Sequence, residues 1–207
     1  MTINRGSFGF LLQWSALMLL APAAFAQSSV VRSGSLEVGP FVGASYGISG
    51  FNVMSGGNIT YALKNRYVLP YFEFSYFPGL PHSYTDASET QYKFNISVAD
   101  VHAGVHIRLP VFHEKPWVPY LVVGAGALHY FEGNGTQTPE GSSSSLPATF
   151  PAGTSFAING GAGLRYYLGG SGKFGFRAEA KIYKATSGPF SNDTIGKVEA
   201  GFFFQIH

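Results

Sequence analysis

The chain has 207 residues, of which 12% are charged and 16% are aromatic, with 27 glycines and no cysteine. A charged share this low is about half that of an average soluble domain. Thirteen basic and eleven acidic residues give a formal net charge of +2, which does not favour nucleic-acid binding, because that needs a basic face. The lack of cysteine excludes disulfides, thiol catalysis and cysteine metal sites from these 207 residues.

The first 26 residues have the pattern of a secretory signal peptide. Arg5 supplies a positive n-region, residues 8–20 are mostly apolar, and Ala24-Phe25-Ala26 forms a small-x-small cleavage site. The apolar run is shorter than the roughly 20 residues of a membrane-spanning helix. We therefore predict that residues 1–26 are removed and that residues 27–207 form one exported domain.

Eight segments of the remaining sequence alternate bulky apolar residues with small or polar ones, which is the period of a β-strand. In chain order the predicted strands are Leu36 to Tyr46, Val53 to Leu63, Tyr67 to Phe77, Gln91 to Arg108, Trp117 to Phe131, Phe156 to Tyr167, Phe174 to Tyr183 and Ile195 to the end.

The fourth predicted strand changes phase in its middle. Phe94 and Val98 share one face of its first half, whereas Val101 and Ile107 share the opposite face of its second half. An uncorrected slip would turn every later side chain to the wrong side. We therefore predict a β-bulge near Ala99-Asp100.

The connections between the strands alternate in length. Those at 64–66 and 169–173 are tight and that at 109–116 is moderate, whereas those at 48–52, 78–90, 132–153 and 184–194 are mostly longer. The segment 132–153 is rich in glycine, proline and serine and is predicted to be a long mobile loop. Short turns at one end and long loops at the other are typical of transmembrane β-barrels.

The two faces of the strands differ in a way that separates a membrane barrel from a soluble sandwich. A sandwich would carry a polar face rich in lysine, glutamate and threonine. Here one face is bulky and nearly uncharged, as lipid contact requires, and the other is small, as the lumen of an eight-stranded barrel requires. The glycines of the small face are Gly39, Gly43, Gly124, Gly126, Gly161, Gly163, Gly175 and Gly201.

We therefore predict an all-β fold, an eight-stranded antiparallel up-and-down transmembrane β-barrel, closed because unpaired backbone groups are not tolerated in hydrocarbon. Aromatic residues are predicted to form two interfacial girdles. One girdle consists of Trp117, Tyr120, Tyr67 and Tyr71, and the other of Tyr76, Tyr92, Tyr130 and Phe131.

Several segments resemble the OmpA-type and OmpX-type family of eight-stranded outer-membrane barrels, over essentially the whole of residues 27–207. They are Pro119-Tyr120, Gly124-Ala125-Gly126, Arg177-Ala178-Glu179-Ala180 and the last strand. The resemblance implies a Gram-negative outer-membrane location, contact with outer-membrane lipids and a monomer. It does not imply one activity, since this family hosts adhesins, enzymes and lipid sensors.

In that family the last strand carries an assembly signal that the barrel assembly machinery reads. The positions that match it here are Glu199, Gly201, Phe204 and Ile206. The chain departs from the pattern at its last residue, which is His207 rather than phenylalanine.

Isolated charges on the predicted inward face are candidates for a lumen network. They are Glu73, Arg108, Arg165, Arg177, Glu179, Lys181, Lys197 and Glu199. They could line a water-filled pore or pair as a plug. We favour the plug, because mixed signs cancel and eight strands enclose too little space for a porin-type channel.

Two histidines on one face of the fourth strand, His102 and His106, suggest a metal site together with Asp100. Four residues of strand span roughly 13 Å, so one ion shared by both imidazoles is not expected. We interpret them as hydrogen-bonded lumen residues, and no metal or cofactor is predicted.

His82-Ser83 with Asp86 in a predicted outer loop matches a hydrolase constellation in residue type only. The expected function is therefore non-enzymatic, a structural or surface-binding role through the outer loops, with the extracellular ligand left open. The alternatives are a lipid A modifying enzyme and a narrow solute pore.

Overall fold

The computed structural model describes residues 31–47, 51–79, 81–110, 116–168, 172–187 and 194–206. The predicted signal peptide lies outside them. The described strands are β1 (Leu36–Tyr46), β2 (Phe51–Tyr61), β3 (Val68–Phe77), β4 (His82–Thr85), β5 (Gln91–Phe94), β6 (Val98–Arg108), β7 (Trp117–Tyr130), β8 (Gly133–Thr138), β9 (Leu146–Phe150), β10 (Gly153–Leu168), β11 (Phe174–Ala185) and β12 (Thr194–Ile206). Within these ranges no helix is long and apolar enough to cross a membrane.

Eight of the strands form a closed antiparallel barrel in the order β1-β12-β11-β10-β7-β6-β3-β2. The first and last strands complete the ring, with Leu36 opposite Ile206 and Tyr46 opposite Gly196. The predicted fold class is confirmed. We call the end of the barrel where β1 begins and β12 ends the near end, and the opposite end the far end.

The predicted alternation places the bulky apolar side chains on the outside of the barrel. Val42 and Ile182 are 66% and 62% exposed, whereas Glu73 and Lys181, on inward positions, are 1% and 2% exposed. A surface of this kind has the opposite polarity to that of a soluble protein. It matches the apolar outer band of a transmembrane barrel.

The predicted strand Gln91 to Arg108 is two strands, and the predicted bulge is wrong. Pairing between β3 and β6 continues without interruption through Ala99 and Asp100. The chain instead passes from β5, which is not part of the barrel, through 95–97 into the barrel strand β6. The apparent change of phase arises because Val98 is an apolar residue that faces inward, 4% exposed, in a strand whose later inward residues are polar.

The predicted loops at the far end contain a second antiparallel sheet, the far sheet, with strand order β4-β5-β8-β9. The segment 132–153, predicted as an unstructured loop, therefore holds a hairpin in which Gly133 pairs with Phe150 and Gln137 with Leu146. Strand β5 joins this hairpin to β4. Strands as short as four residues give too weak an alternation to be recognised in sequence.

The predicted aromatic girdles are partly wrong. Trp117, Tyr76 and Phe131 lie on the exposed surface, and Tyr76 packs edge-on against Phe131 at 6.3 Å between ring centroids. Three of the predicted girdle residues are instead buried inside the barrel, because they occupy inward positions of their strands: Tyr71, Tyr120 and Tyr130. Tyr92 belongs to the far sheet.

Gly39 permits the close approach of β1 to β12 where the barrel closes. A Cβ atom on Gly39 would lie 1.8 Å from the carbonyl oxygen of Phe202, whereas one on Gly57, in the neighbouring strand, would first meet an atom at 3.5 Å. Only the first distance is an impossible contact. The two glycines thus form a matched pair for testing closure.

We expect Gly39→Ala to lower the free energy of unfolding by roughly 1–3 kcal/mol, as overpacking does, and Gly57→Ala to change it by less than about 0.5 kcal/mol. Urea unfolding in detergent micelles, followed by the heat-dependent gel migration of the folded barrel, measures both. Equal losses of unfolding free energy in the two variants would contradict this account of how β1 packs against β12.

Candidate functional site

The interior of the barrel is divided into three layers along its axis. Near the far end lies the far apolar layer, a cluster of Phe41, Met54, Phe77, Val98, Leu128, Tyr130, Ala157, Tyr183 and Ile195. Near the other end lies the near apolar layer, consisting of Val31, Ala62, Leu69, Val118, Tyr167 and Phe203. Between them lie the buried charged side chains, packed around a smaller cluster of Tyr71, Tyr120 and Val122, and we call this part the ionic layer.

The ionic layer contains equal numbers of acidic and basic side chains among the described residues. Five are acidic and five are basic: Glu37, Glu73, Asp100, Glu179 and Glu199, with Arg108, Arg165, Arg177, Lys181 and Lys197. All eight residues that the sequence nominated are therefore buried inside the barrel. Glu37 and Asp100 were not included, although the period of two also places both on inward positions.

Glu73 accepts hydrogen bonds from two lysines that reach it from strands across the lumen. The Nζ atom of Lys181 lies 2.7 Å from both carboxylate oxygens, and that of Lys197 lies 2.6 Å from Oε1. Lys197 also donates to Asp100 at 3.1 Å. These bonds connect β3 and β6 with β11 and β12, so they tie opposite walls of the barrel together.

Glu179 and Glu199 complete the centre of the ionic layer. Glu179 lies 2.6 Å from Nζ of Lys181 and accepts a hydrogen bond from the hydroxyl of Tyr120 at 2.7 Å. Glu199 accepts one from Arg177 at 2.8 Å. Since each carboxylate has a cationic partner, the cost of burying these charges is offset by charge-assisted hydrogen bonds.

The near half of the ionic layer is built around Arg165. Its Nε lies 2.9 Å from Glu37, and its guanidinium carbon lies 4.2 Å from the centre of the Tyr120 ring. The hydroxyl of Tyr167 donates to the same Glu37. Arg108 donates to the carbonyl oxygen of Arg66 at 2.8 Å, which fixes the turn between β2 and β3.

The two candidate histidines have separate partners. His102 contacts Asp100 through Nδ1, and His106 contacts Arg165 through Nδ1 at 2.6 Å. The ring of His106 also stacks on Tyr71, with 4.4 Å between centroids. Their contacts are those of hydrogen-bonded interior residues that hold neighbouring side chains in place.

Three carboxylates, those of Glu73, Glu179 and Glu199, bring oxygens within 4.8 Å of one another and could in principle hold a metal ion. The ammonium group of Lys181 already lies among them, 2.7, 2.6 and 3.4 Å from the three residues. An ion would have to displace this cation. The lysine therefore occupies the position that a metal would need.

The hydrolase constellation is not assembled in the described part of the chain. Ser83 is exposed on β4, and the side chain of His82 lies outside the described side chains. Asp86 accepts hydrogen bonds from the hydroxyl of Ser88 at 2.7 Å and from the backbone of Thr90 at 2.9 Å. The hydrogen bond from the Ser88 hydroxyl lowers the pKa of Asp86. This carboxylate therefore stabilises the turn between β4 and β5.

The four residues of the predicted assembly signal lie along β12. Glu199 faces the ionic layer, while Phe204 and Ile206 are exposed on the outside. The ring of Phe204 lies 5.1 Å from that of Phe174 on β11. A Cβ on Gly201 would lie 2.2 Å from the carbonyl of Pro40. Their recognition by assembly machinery stays a prediction.

Comparison with solved structures finds small outer-membrane barrels. Neisserial surface protein A (NspA) gives a TM-score of 0.50 at 13% identity and covers 84% of this chain and 98% of its own. The attachment invasion locus protein Ail of Yersinia pestis, in complex with the heparin analogue sucrose octasulfate, gives 0.48 at 15%, covering 84% and 100%. Acinetobacter baumannii CarO gives 0.41 at 16%, covering 79% and 97%.

The chain has the fold of the eight-stranded outer-membrane β-barrels. At 13% identity the likeness to NspA concerns the fold alone. No profile of a protein family and no curated protein sequence matches the chain. The closed barrel and the comparison with solved structures confirm, at the level of architecture, the family resemblance expected from the sequence.

We expect Lys181→Met to lower the free energy of unfolding by roughly 3–5 kcal/mol, because it leaves carboxylates buried without their shared cation. Lys184→Met, on the exposed side of the same strand, should change it by less than about 0.5 kcal/mol. Urea titration of the two variants in the same detergent measures the difference.

A second substitution makes this test specific for charge. Glu179→Gln in the Lys181→Met background removes the carboxylate that has lost its lysine and should restore part of the lost stability. If Lys181→Met is as stable as Lys184→Met, the ionic layer does not depend on this lysine.

Proposed function

We propose that the chain is a monomeric integral protein of the bacterial outer membrane, with a non-conducting barrel and no enzymatic activity. Its barrel anchors it among outer-membrane lipids. Its far sheet faces the cell exterior and carries its contacts with other molecules. The near end, where β1 begins and β12 ends, faces the periplasm.

The observation that carries this proposal is that side chains fill the barrel interior in three successive layers along its axis. Arg165 and Glu73 at its centre are both 1% exposed. Water and solutes need a continuous polar path through a pore. Two apolar layers with a buried layer of ion-paired carboxylates between them interrupt that path, which supports an anchor rather than a channel.

The start of the described chain adds a further closure at the near end. Val31 packs in the near apolar layer and is fully buried. The backbone of Ala62 donates to Ser35 at 2.9 Å and accepts from Gly34 at 2.8 Å. These hydrogen bonds attach the segment before β1 to the end of β2, from which Val31 reaches the near apolar layer.

The far sheet offers a surface for contact with other molecules because its two faces differ. Its register places Tyr92, Phe94 and Phe150 on one face, and the rings of Phe94 and Phe150 lie 4.8 Å apart. The other face is mostly polar and exposed or half-buried. It carries Ser83, Thr85, Gln91, Lys93, Asn134, Thr136, Thr138 and Thr149.

The placement of the two ends can be tested by labelling single cysteines, because the chain has none of its own. Ser143→Cys, in the exposed turn between β8 and β9, should react with a membrane-impermeant maleimide on intact Gram-negative cells. Lys64→Cys, exposed in the near-end turn between β2 and β3, should react only after the cells are broken. Labelling of both in intact cells, or of neither, would contradict the proposal.

We also expect the purified barrel to produce no conductance steps in planar lipid bilayers, because the described inward side chains fill its interior. An open porin added to the same bilayers provides the positive control. Reproducible steps from the folded protein, absent from a boiled sample, would favour the solute-pore alternative.

A further inference from the structure

At the near end of the barrel, each described connection that contains a charged residue carries an exposed basic residue. They are Arg32 before β1, Lys64 and Arg66 between β2 and β3, and Lys173 between β10 and β11. Among the described residues of this end there is one acidic residue, Glu37, and its side chain is buried in an ion pair with Arg165. We call these four residues the basic rim.

The far end has the opposite balance. Four acidic residues lie there among the described residues, Asp86, Glu89, Glu132 and Glu140, against the two lysines Lys93 and Lys184. The positive charge is therefore a property of one end of the barrel and does not follow from the overall composition.

Arg66 adopts a backbone conformation that is costly for its residue type. Its φ angle is 60°, a left-handed conformation that glycine or asparagine adopts more easily than arginine. The turn is held by other groups: the side chain of Asn65 accepts hydrogen bonds from Tyr67 and Val68, and Arg108 binds the Arg66 carbonyl. The Arg66 side chain is not needed for the turn, which points to a role outside the fold.

The basic rim lies at the edge of the apolar outer surface. Tyr61 and Leu63, both exposed, immediately precede Lys64. Lys173 precedes Phe174, whose ring stacks on Phe202 at 5.7 Å. Lysine and arginine beside an apolar band extend their charged groups to the depth of the lipid headgroups.

The rim surrounds the barrel and does not converge on one point. In the ring of strands the β2–β3 turn and the β10–β11 turn are separated by two strands on either side, β6 and β7 on one and β1 and β12 on the other. Opposite positions of this kind cannot enclose one small anion. They match a ring of separate anionic groups around the protein.

We infer that the basic rim binds the phosphate groups of anionic phospholipids in the leaflet that surrounds the near end. This inference rests on the proposed membrane location. Each basic residue near an anionic surface contributes roughly a fivefold gain in affinity. This gain decays with distance from the surface over about one Debye length, which shortens as salt is added. The preference should therefore weaken strongly in high salt.

Trp117 provides a probe at the right place. It is one of two tryptophans in the chain, with Trp14, and it is exposed at the near end of β7. Its ring lies 4.4 Å from that of Tyr166 on β10, the strand that leads to Lys173. In a Trp14→Phe background, Trp117 is the only fluorophore of its kind, and bromine-labelled acyl chains quench it on contact.

The protein is refolded into equimolar phosphatidylcholine and phosphatidylglycerol vesicles in which one lipid or the other carries the bromine label. We expect stronger quenching of Trp117 by the labelled phosphatidylglycerol, and loss of this preference in high salt. Lys173→Gln should lower the relative binding constant roughly fivefold. The triple variant Lys64→Gln, Arg66→Gly, Lys173→Gln, which keeps only Arg32 of the rim, should remove most of the preference.

The matched control is Lys93→Gln with Lys184→Gln, which removes the two far-end lysines and should leave the preference unchanged. Arg66→Gly alone separates folding from binding, since it relieves the φ angle and should be at least as stable as the parent while binding less phosphatidylglycerol. Heat-dependent gel migration of each sample verifies that the barrel is folded.

Equal quenching by both lipids, a preference that is undiminished in the triple variant, or one that is insensitive to salt would overturn the inference and leave the barrel proposal intact. Equal quenching together with rim-dependent binding to isolated peptidoglycan would assign the rim to carboxylates of the cell wall instead. If neither lipid quenches Trp117, the barrel does not lie in the bilayer, and both proposals fail.

Discussion

The folded barrel depends on the pairing of charges in a space that bulk water does not fill. Glu73, Glu179 and Glu199 converge within 4.8 Å, and three carboxylates at that distance would repel strongly without the ammonium groups of Lys181 and Lys197 between them. Glu73 comes from β3, whereas Lys181 and Lys197 come from β11 and β12. These ion pairs form only when the ring of strands closes, so charge neutralisation and barrel closure stabilise each other.

Glycine on the inward face makes room for aromatic rings, which in turn organise the charges. A Cβ on Gly163 would lie 2.4 Å from the Tyr120 ring, and one on Gly124 would lie 2.3 Å from the Tyr71 hydroxyl. The Tyr120 ring can therefore lie flat against the wall and reach Glu179 with its hydroxyl. Small inward residues here indicate a densely filled interior, since the space they leave is occupied by tyrosine.

The sequence predicts the barrel because a period of two persists through long strands, and β1 was predicted with its observed bounds, Leu36–Tyr46. The same period places Glu73 and Lys181 inside. It cannot pair them, since they are 108 residues apart and their contact depends on the curvature and register of the closed ring. The far sheet escaped prediction because strands such as β4 are too short for a pattern. Tyr120 was assigned to a girdle because residue type was given more weight than its inward position.

The position of a basic residue in this barrel decides what it can bind. Four basic residues are buried beside carboxylates, and their ion pairs hold the strands together: Arg165, Arg177, Lys181 and Lys197. The basic rim has the same residue types but stands exposed at the boundary of the apolar surface, where no described acidic side chain is exposed beside it. Because the described interior is filled, the charged residues that remain open to other molecules lie at the two ends, and the balance of charge at the two ends is opposite.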